Sequence, residues 1–111
     1  MENKISKNLS GQTISLTNLI DYQNGSVVSR EILKKANGSI TIFAFDESEG
    51  LSEHTAPYEA VLHVLDGEAE IKLSGKNHNL KKGEMIIMPA GEPHSVKANI
   101  RFKMLLTMIR S

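Results

Sequence analysis

The chain has 111 residues, no cysteine, and 13 lysines and arginines against 13 aspartates and glutamates, for a formal net charge of zero. These figures exclude a disulfide framework, a thiolate zinc site and a thiol nucleophile, and they lack the basic excess of a nucleic-acid binder. The polar, mixed-charge stretch 1–11 is no secretory core and nowhere do eighteen apolar residues run together, so no membrane partner is expected and the expected address is the cytoplasm.

In chain order, residues 1–36 are weakly patterned. Ile14, Leu16, Leu19 and Ile20 predict a short strand, and Val27, Val28, Ile32 and Leu33 a second one, bracketed by turn signals at Asn24-Gly25 and Asn37-Gly38. Helix competes for Ser29 to Ala36 through a capping serine and a charged surface, but the β-branched Val27 and Val28 favour strand. From Ser39 onward the period is that of strands: Ser39–Phe45, Ala60–Leu65, Ala69–Leu73, Met85–Met88, His94–Ala98 and Phe102–Ile109. Asp66-Gly67, Gly75-Lys76-Asn77, Lys81-Lys82-Gly83 and Pro89-Ala90-Gly91 are read as the turns between them, with Asp66-Gly67 as a tight hairpin and His78 as a solvated turn residue. Met85, Met88, Met104 and Met108 are expected in the core. Many short strands divided by turn clusters predict an all-β sandwich or barrel.

Two glycine-bounded histidine segments stand out. The first runs from Gly50 through His54, Ala56 and Ala60 to Gly67; the second places Gly83, Pro89, Gly91 and His94 at set spacings around the apolar Met85–Met88. Pro89 removes a backbone donor and ends that strand, and Gly91 permits the reversal that follows. From about Gly38 to Ile109 the chain resembles the conserved barrel of the cupin superfamily. The resemblance implies a jelly-roll β-barrel, the double-stranded β-helix, over residues 37–111, with residues 1–36 as an N-terminal arm of one or more strands contributing to a dimer.

The resemblance also implies a site of three imidazoles and one carboxylate around divalent iron, manganese, nickel or zinc. Here His54 and His94 match two of the imidazoles, while Ala56 stands at the second histidine of the first motif and Ala60 at its glutamate. With a period of two, positions 54, 56, 60 and 62 share the inward face, so methyl groups replace two ligands. Glu59, one residue from the lost carboxylate, turns to the opposite face unless a bulge or loop restores it; Glu53 is the other substitute, and His63 has the wrong parity.

The last strand is apolar on both faces, with Phe102, Met104, Leu106 and Met108 on one and Leu105 and Ile109 on the other. Its second face therefore requires a cover, either the N-terminal segment or a second subunit, and the resemblance to cupins, which commonly pair through such sheets, implies a homodimer. Two functions remain open. The favoured one is a small-molecule-binding barrel without a tightly bound metal, whose pocket is lined by His54, Ala56, Ala60, Leu62, His94 and Met104. The alternative is a metal-dependent oxygenase- or isomerase-like enzyme that uses His54 and His94 with Glu53 or Glu59. No catalytic residue, ligand or reaction is assigned.

Overall fold

The computed structural model describes residues 9–110. The first eight residues of the expected arm 1–36 and the last residue of the expected barrel 37–111 lie outside the described residues. Eight strands follow a single turn of 3-10 helix at Leu16–Asn18: β1 Val27–Lys35, β2 Gly38–Phe45, β3 Gly50–His54, β4 Glu59–Leu73, β5 Lys76–Lys81, β6 Met85–Met88, β7 His94–Lys97 and β8 Phe102–Ile109. Every pairing is antiparallel. One sheet runs β1-β2-β8-β4-β6 and the other β3-β7-β4-β5, with β4 shared between them. This is the all-β barrel expected of the strand pattern, in the jelly-roll form that the family resemblance implies. Among the described residues no helix is long and apolar enough to cross a membrane.

Alternation along β4 sets inside from outside. Ala60, Leu62 and Val64 are buried and the residues between them are half-buried; beyond Gly67 the buried positions become Ala69 and Ile71. The inner faces of the two sheets close over one core that includes Phe45, Leu62, Val64, Ile71, Val96, Phe102 and Met104. Each large side chain so buried contributes roughly 1.5–3 kcal/mol. Phe45 and Phe102 stack at 4.5 Å between ring centroids, and Phe43 continues the row at 5.9 Å from Phe45.

Ile14 to Ile20 form no strand. Leu16, Leu19 and Ile20 recur at the helical spacing, and they pack with Tyr22 onto Ile42, Ala44, Leu65 and Leu105 on the outside of the first sheet. The N-terminal segment thus supplies part of the cover that β8 requires. Polar contacts latch it down: the Tyr22 hydroxyl donates to Asp66 Oδ2 at 2.6 Å, and the buried Lys103 ammonium donates to the Thr17 carbonyl at 2.6 Å while lying 5.0 Å from the centre of the Tyr22 ring. Burial, reinforced by the Asp66 carboxylate, pushes the Tyr22 phenol well above its ordinary range. Next to it Arg101 Nε–H donates to Asp46 at 2.7 Å, and a second guanidinium nitrogen donates to Asn24 at 2.7 Å.

The other departures from the strand reading have local causes. Asp66-Gly67 is no hairpin: β4 runs straight through it with a bulge after Val64, at the point where the strand leaves the first sheet for the second. Gly67 takes φ +74 there, which a hairpin and a bulge demand alike. His78 is not a turn residue but a half-buried strand position opposite Ile71, because the reversal is made one residue earlier by Ser74 and Gly75, both at positive φ. That pair of positive angles suits a two-residue hairpin, so the polar Lys76–Lys81 can run on as a strand. Met88 and Met104 are core, but Met85 is 53% exposed: it alternates outward with Ile87 on β6, at the rim of the first sheet. The strand preferred over helix for Ser29 to Ala36 is present as β1, the expected turn after Pro89 is present with Gly91 at φ +82, and His63 is half-buried on the parity opposite Leu62.

Candidate functional site

His54 is the last residue of β3 and His94 the first of β7, and they are partners in that strand pair; Leu73, at the end of β4, flanks His94 on the other side. The imidazole rings meet edge to face, 4.3 Å between centroids and 66° between planes. They differ in setting. His94 is buried, 8% exposed, whereas His54 is open to solvent.

Each ring is held by its own strand. His54 Nδ1 lies 2.8 Å from the Ser52 carbonyl oxygen, and His94 Nδ1 lies 3.2 Å from that of Glu92. A carbonyl only accepts, so each Nδ1 carries the proton and donates it, and in the neutral ring each Nε2 keeps its lone pair. The loops carrying the motifs are tied together as well. The Gly91 N–H donates to the Ala56 carbonyl at 2.8 Å, the Ser74 N–H donates to the Pro93 carbonyl at 2.8 Å, and the Ser74 hydroxyl donates to the Glu92 carboxylate. Ser52 and Glu92 act through backbone oxygens, which have no side-chain signature, and sequence reasoning did not find them.

The remaining expected site residues are dispersed. Residues 55–58 form no strand, so the period of two does not carry from His54 to Ala60 as the sequence reading assumed. Ala56 is half-buried in that loop; Ala60, Leu62 and Met104 are 5%, 0% and 1% exposed and belong to the packed core. Glu53 is exposed on β3. Glu59 opens β4 opposite Ile109, exposed and on the parity opposite Ala60, so no bulge restores it to the inner face. Among the described residues no three His, Asp or Glu side chains are grouped to hold a metal ion. Two imidazoles alone do not fit the three-imidazole, one-carboxylate site that the motif resemblance implies. What the pair offers is hydrogen bonding and proton exchange at the Nε2 atoms of two rings that meet edge to face.

The family described as "Cupin domain" matches residues 41–109. Comparison with curated proteins finds no match. Among solved structures, a conserved protein of unknown function from Streptococcus pyogenes is similar at a TM-score of 0.87 and 29% identity, over 91% of this chain and 89% of that one. A Cupin 2 conserved barrel domain protein from Leptotrichia buccalis is similar at a TM-score of 0.82 and 39% identity; the match covers 85% of this chain but only 46% of the other, less than half its length. A cupin superfamily protein from Desulfitobacterium hafniense, at 24% identity over 92% and 94% of the two chains, shares the fold at a TM-score of 0.86.

Proposed function

The chain belongs to the cupin domain family, and on that premise we propose that it is a small-molecule-binding barrel, working in the cytoplasm as a homodimer and without a tightly held metal. The observation that carries the reading is the imidazole pair, 4.3 Å apart with both Nδ1 atoms engaged by carbonyls. A ligand group seated on the two Nε2 atoms meets either two acceptors or, once a ring is protonated, a charged donor suited to a carboxylate. Ala56 lies two residues from His54, and its carbonyl accepts from the Gly91 N–H in the loop before His94.

The metal-dependent alternative, with Glu53 or Glu59 as third ligand to His54 and His94, has less support, because both carboxylates are exposed and among the described residues no three such groups are clustered. The homodimer uses the outer face of the first sheet beyond the reach of the N-terminal segment. Leu33, Met85, Ile87 and Ile109 are 46–54% exposed there, and a chain of zero net charge brings little repulsion to self-association.

The test joins metal analysis to ligand mapping. Protein purified without a histidine tag is expected to hold far less than one iron, manganese, nickel or zinc per chain, and a screen of small carboxylic acids is expected to give saturable shifts of the His54 and His94 ring resonances. Near-stoichiometric metal that is lost in His54→Ala would overturn the reading, as would a screen in which neither ring responds.

A further inference from the structure

A second polar feature lies outside the imidazole pair and shares no residue with it. A cavity of about 460 Å³ opens at the edge of the first sheet, lined by Lys34, Lys35, Ser39, Tyr58, Met108 and Arg110 among others. That volume lies within the range of small-molecule sites. Register builds one wall: Lys34 is the partner of Ser39, and Ser39 of Met108, in a row crossing β1, β2 and β8. The other wall is Tyr58, in the loop before β4, and Arg110, directly after β8.

Arg110 is fixed at both ends. Its backbone N–H donates to the Asn37 carbonyl at 2.8 Å, in the turn between β1 and β2. Its guanidinium lies 4.7 Å from the Tyr58 ring centre and donates to the Tyr58 hydroxyl. A guanidinium held this way loses little further freedom when it grips an oxyanion. The lining carries three cations, Lys34, Lys35 and Arg110, against one carboxylate, Glu31. Among the described residues no ion pair neutralises any of the three. The chain as a whole has no net charge, so the positive excess is local.

We infer that this cavity binds a small molecule through a carboxylate or phosphoryl oxyanion, with Arg110, Lys34 and Lys35 contacting the anion, Ser39 offering a hydroxyl, and Tyr58 positioning the guanidinium. The inference does not rest on the imidazole site, and its test reads different residues. Inorganic phosphate and succinate are titrated separately into the isotope-labelled full chain at constant ionic strength, following backbone amides by NMR. Saturable shifts are expected at Gly38, Ser39 and Arg110. Saturation by phosphate alone identifies a phosphoryl ligand, and saturation by succinate alone a carboxylate.

Removing a charge-assisted contact should weaken binding roughly tenfold or more in Arg110→Met, and Tyr58→Phe should weaken it less. Lys72→Met, at an exposed lysine on the other sheet, should leave it unchanged. Should Arg110→Met lose the dispersed spectrum of the folded chain, Lys34→Met takes its place with the same expectation. Shifts that never saturate with either anion, or an equal loss in Lys72→Met, would overturn the inference.

Discussion

Gly67 is the position at which the barrel is most sensitive to one added carbon, and Gly67→Ala measures it. A Cβ there would sit 2.0 Å from the Arg101 carbonyl oxygen and 3.0 Å from both Cα and Cβ of Phe102. Two costs add. The left-handed backbone, φ +74, costs an L-residue roughly 1–2 kcal/mol. The clash is with backbone, so it is relieved only by displacing β8 from β4 or by moving Phe102, which is fully buried and stacked on Phe45. Overpacking of that kind costs about 1–3 kcal/mol. The sum, roughly 2–5 kcal/mol, is a large part of the 5–15 kcal/mol typical of a folded domain. In urea denaturation followed by circular dichroism, the midpoint should fall with the slope unchanged. Gly67→Asn separates the two costs, because asparagine tolerates the left-handed region but still carries the clashing carbon. It should recover only the smaller share. A loss below about 1 kcal/mol in Gly67→Ala would refute the argument, since that is the ordinary cost of an arbitrary substitution.

Three further outcomes follow from the structure. The Asp46 carboxyl is held at about 2, below its ordinary 3.8, chiefly by the Arg101 hydrogen bond and then by backbone N–H groups of Gly25 and Glu47. A depressed folded pKa gives stability that is whole above the unfolded value and is lost as pH falls through the folded one, so the gap between the parent chain and Asp46→Asn should persist at neutral pH and close between about pH 4 and 2. Denaturation midpoints across that range test it, and a gap independent of pH would refute it. Ala56→His combined with Ala60→Glu should leave the melting temperature unresponsive to added zinc or manganese, because Ala56 lies in the loop before β4 and Ala60 in the packed core; a metal-dependent rise, worth about 2.7 kcal/mol at a free metal concentration 100 times the Kd, would show that the two positions do converge on the imidazoles. Ile87→Lys should lower the mass measured by light scattering from that of a dimer to that of a monomer without disturbing the fold, and a parent chain already monomeric at micromolar concentration would remove the basis for the dimer.

The strand pattern from Ser39 onward was legible because alternation is a local property: β2, β6, β7 and β8 begin and end within about a residue or two of where their apolar runs predict. Gly91 and Pro89 were legible for the same reason, each acting on its own backbone. What sequence reasoning missed depends on tertiary partners. Asp66-Gly67 has the chemistry of a hairpin, yet β4 continues because Phe102 and Lys81 are both waiting to pair on either side of it. Lys76–Lys81 carries too few apolar residues to announce a strand, and only its pairing with β4 makes it one. The approach of His54 to His94 was implied by the family resemblance and the rings do meet, but the exposure of His54 was not foreseen, since the register of β3 on β7 shifts between Leu51 and His54 and parity counted along the chain cannot show that. Arg110 and Lys34 stand 76 residues apart. No local window joins them; the register of β1 on β2 and of β2 on β8 does.

The separation between interior and rim has a consequence for how this barrel can act. Ala60 pairs with Met88 and Met108 across the first sheet and is 5% exposed. A carboxylate in that position, with no cation beside it, would be a buried charge without a partner, which is among the costliest things a core can contain. Alanine removes that cost and lets the core close. The polar chemistry is then displaced outward, to the imidazole pair at the ends of β3 and β7 and to the cationic cavity at the edge of β1 and β2. Stability and the proposed recognition would then depend on different residues: Leu62, Val64 and Phe102 hold the sheets together, while His54 and Arg110 meet the solvent and His94, itself buried, lies against His54.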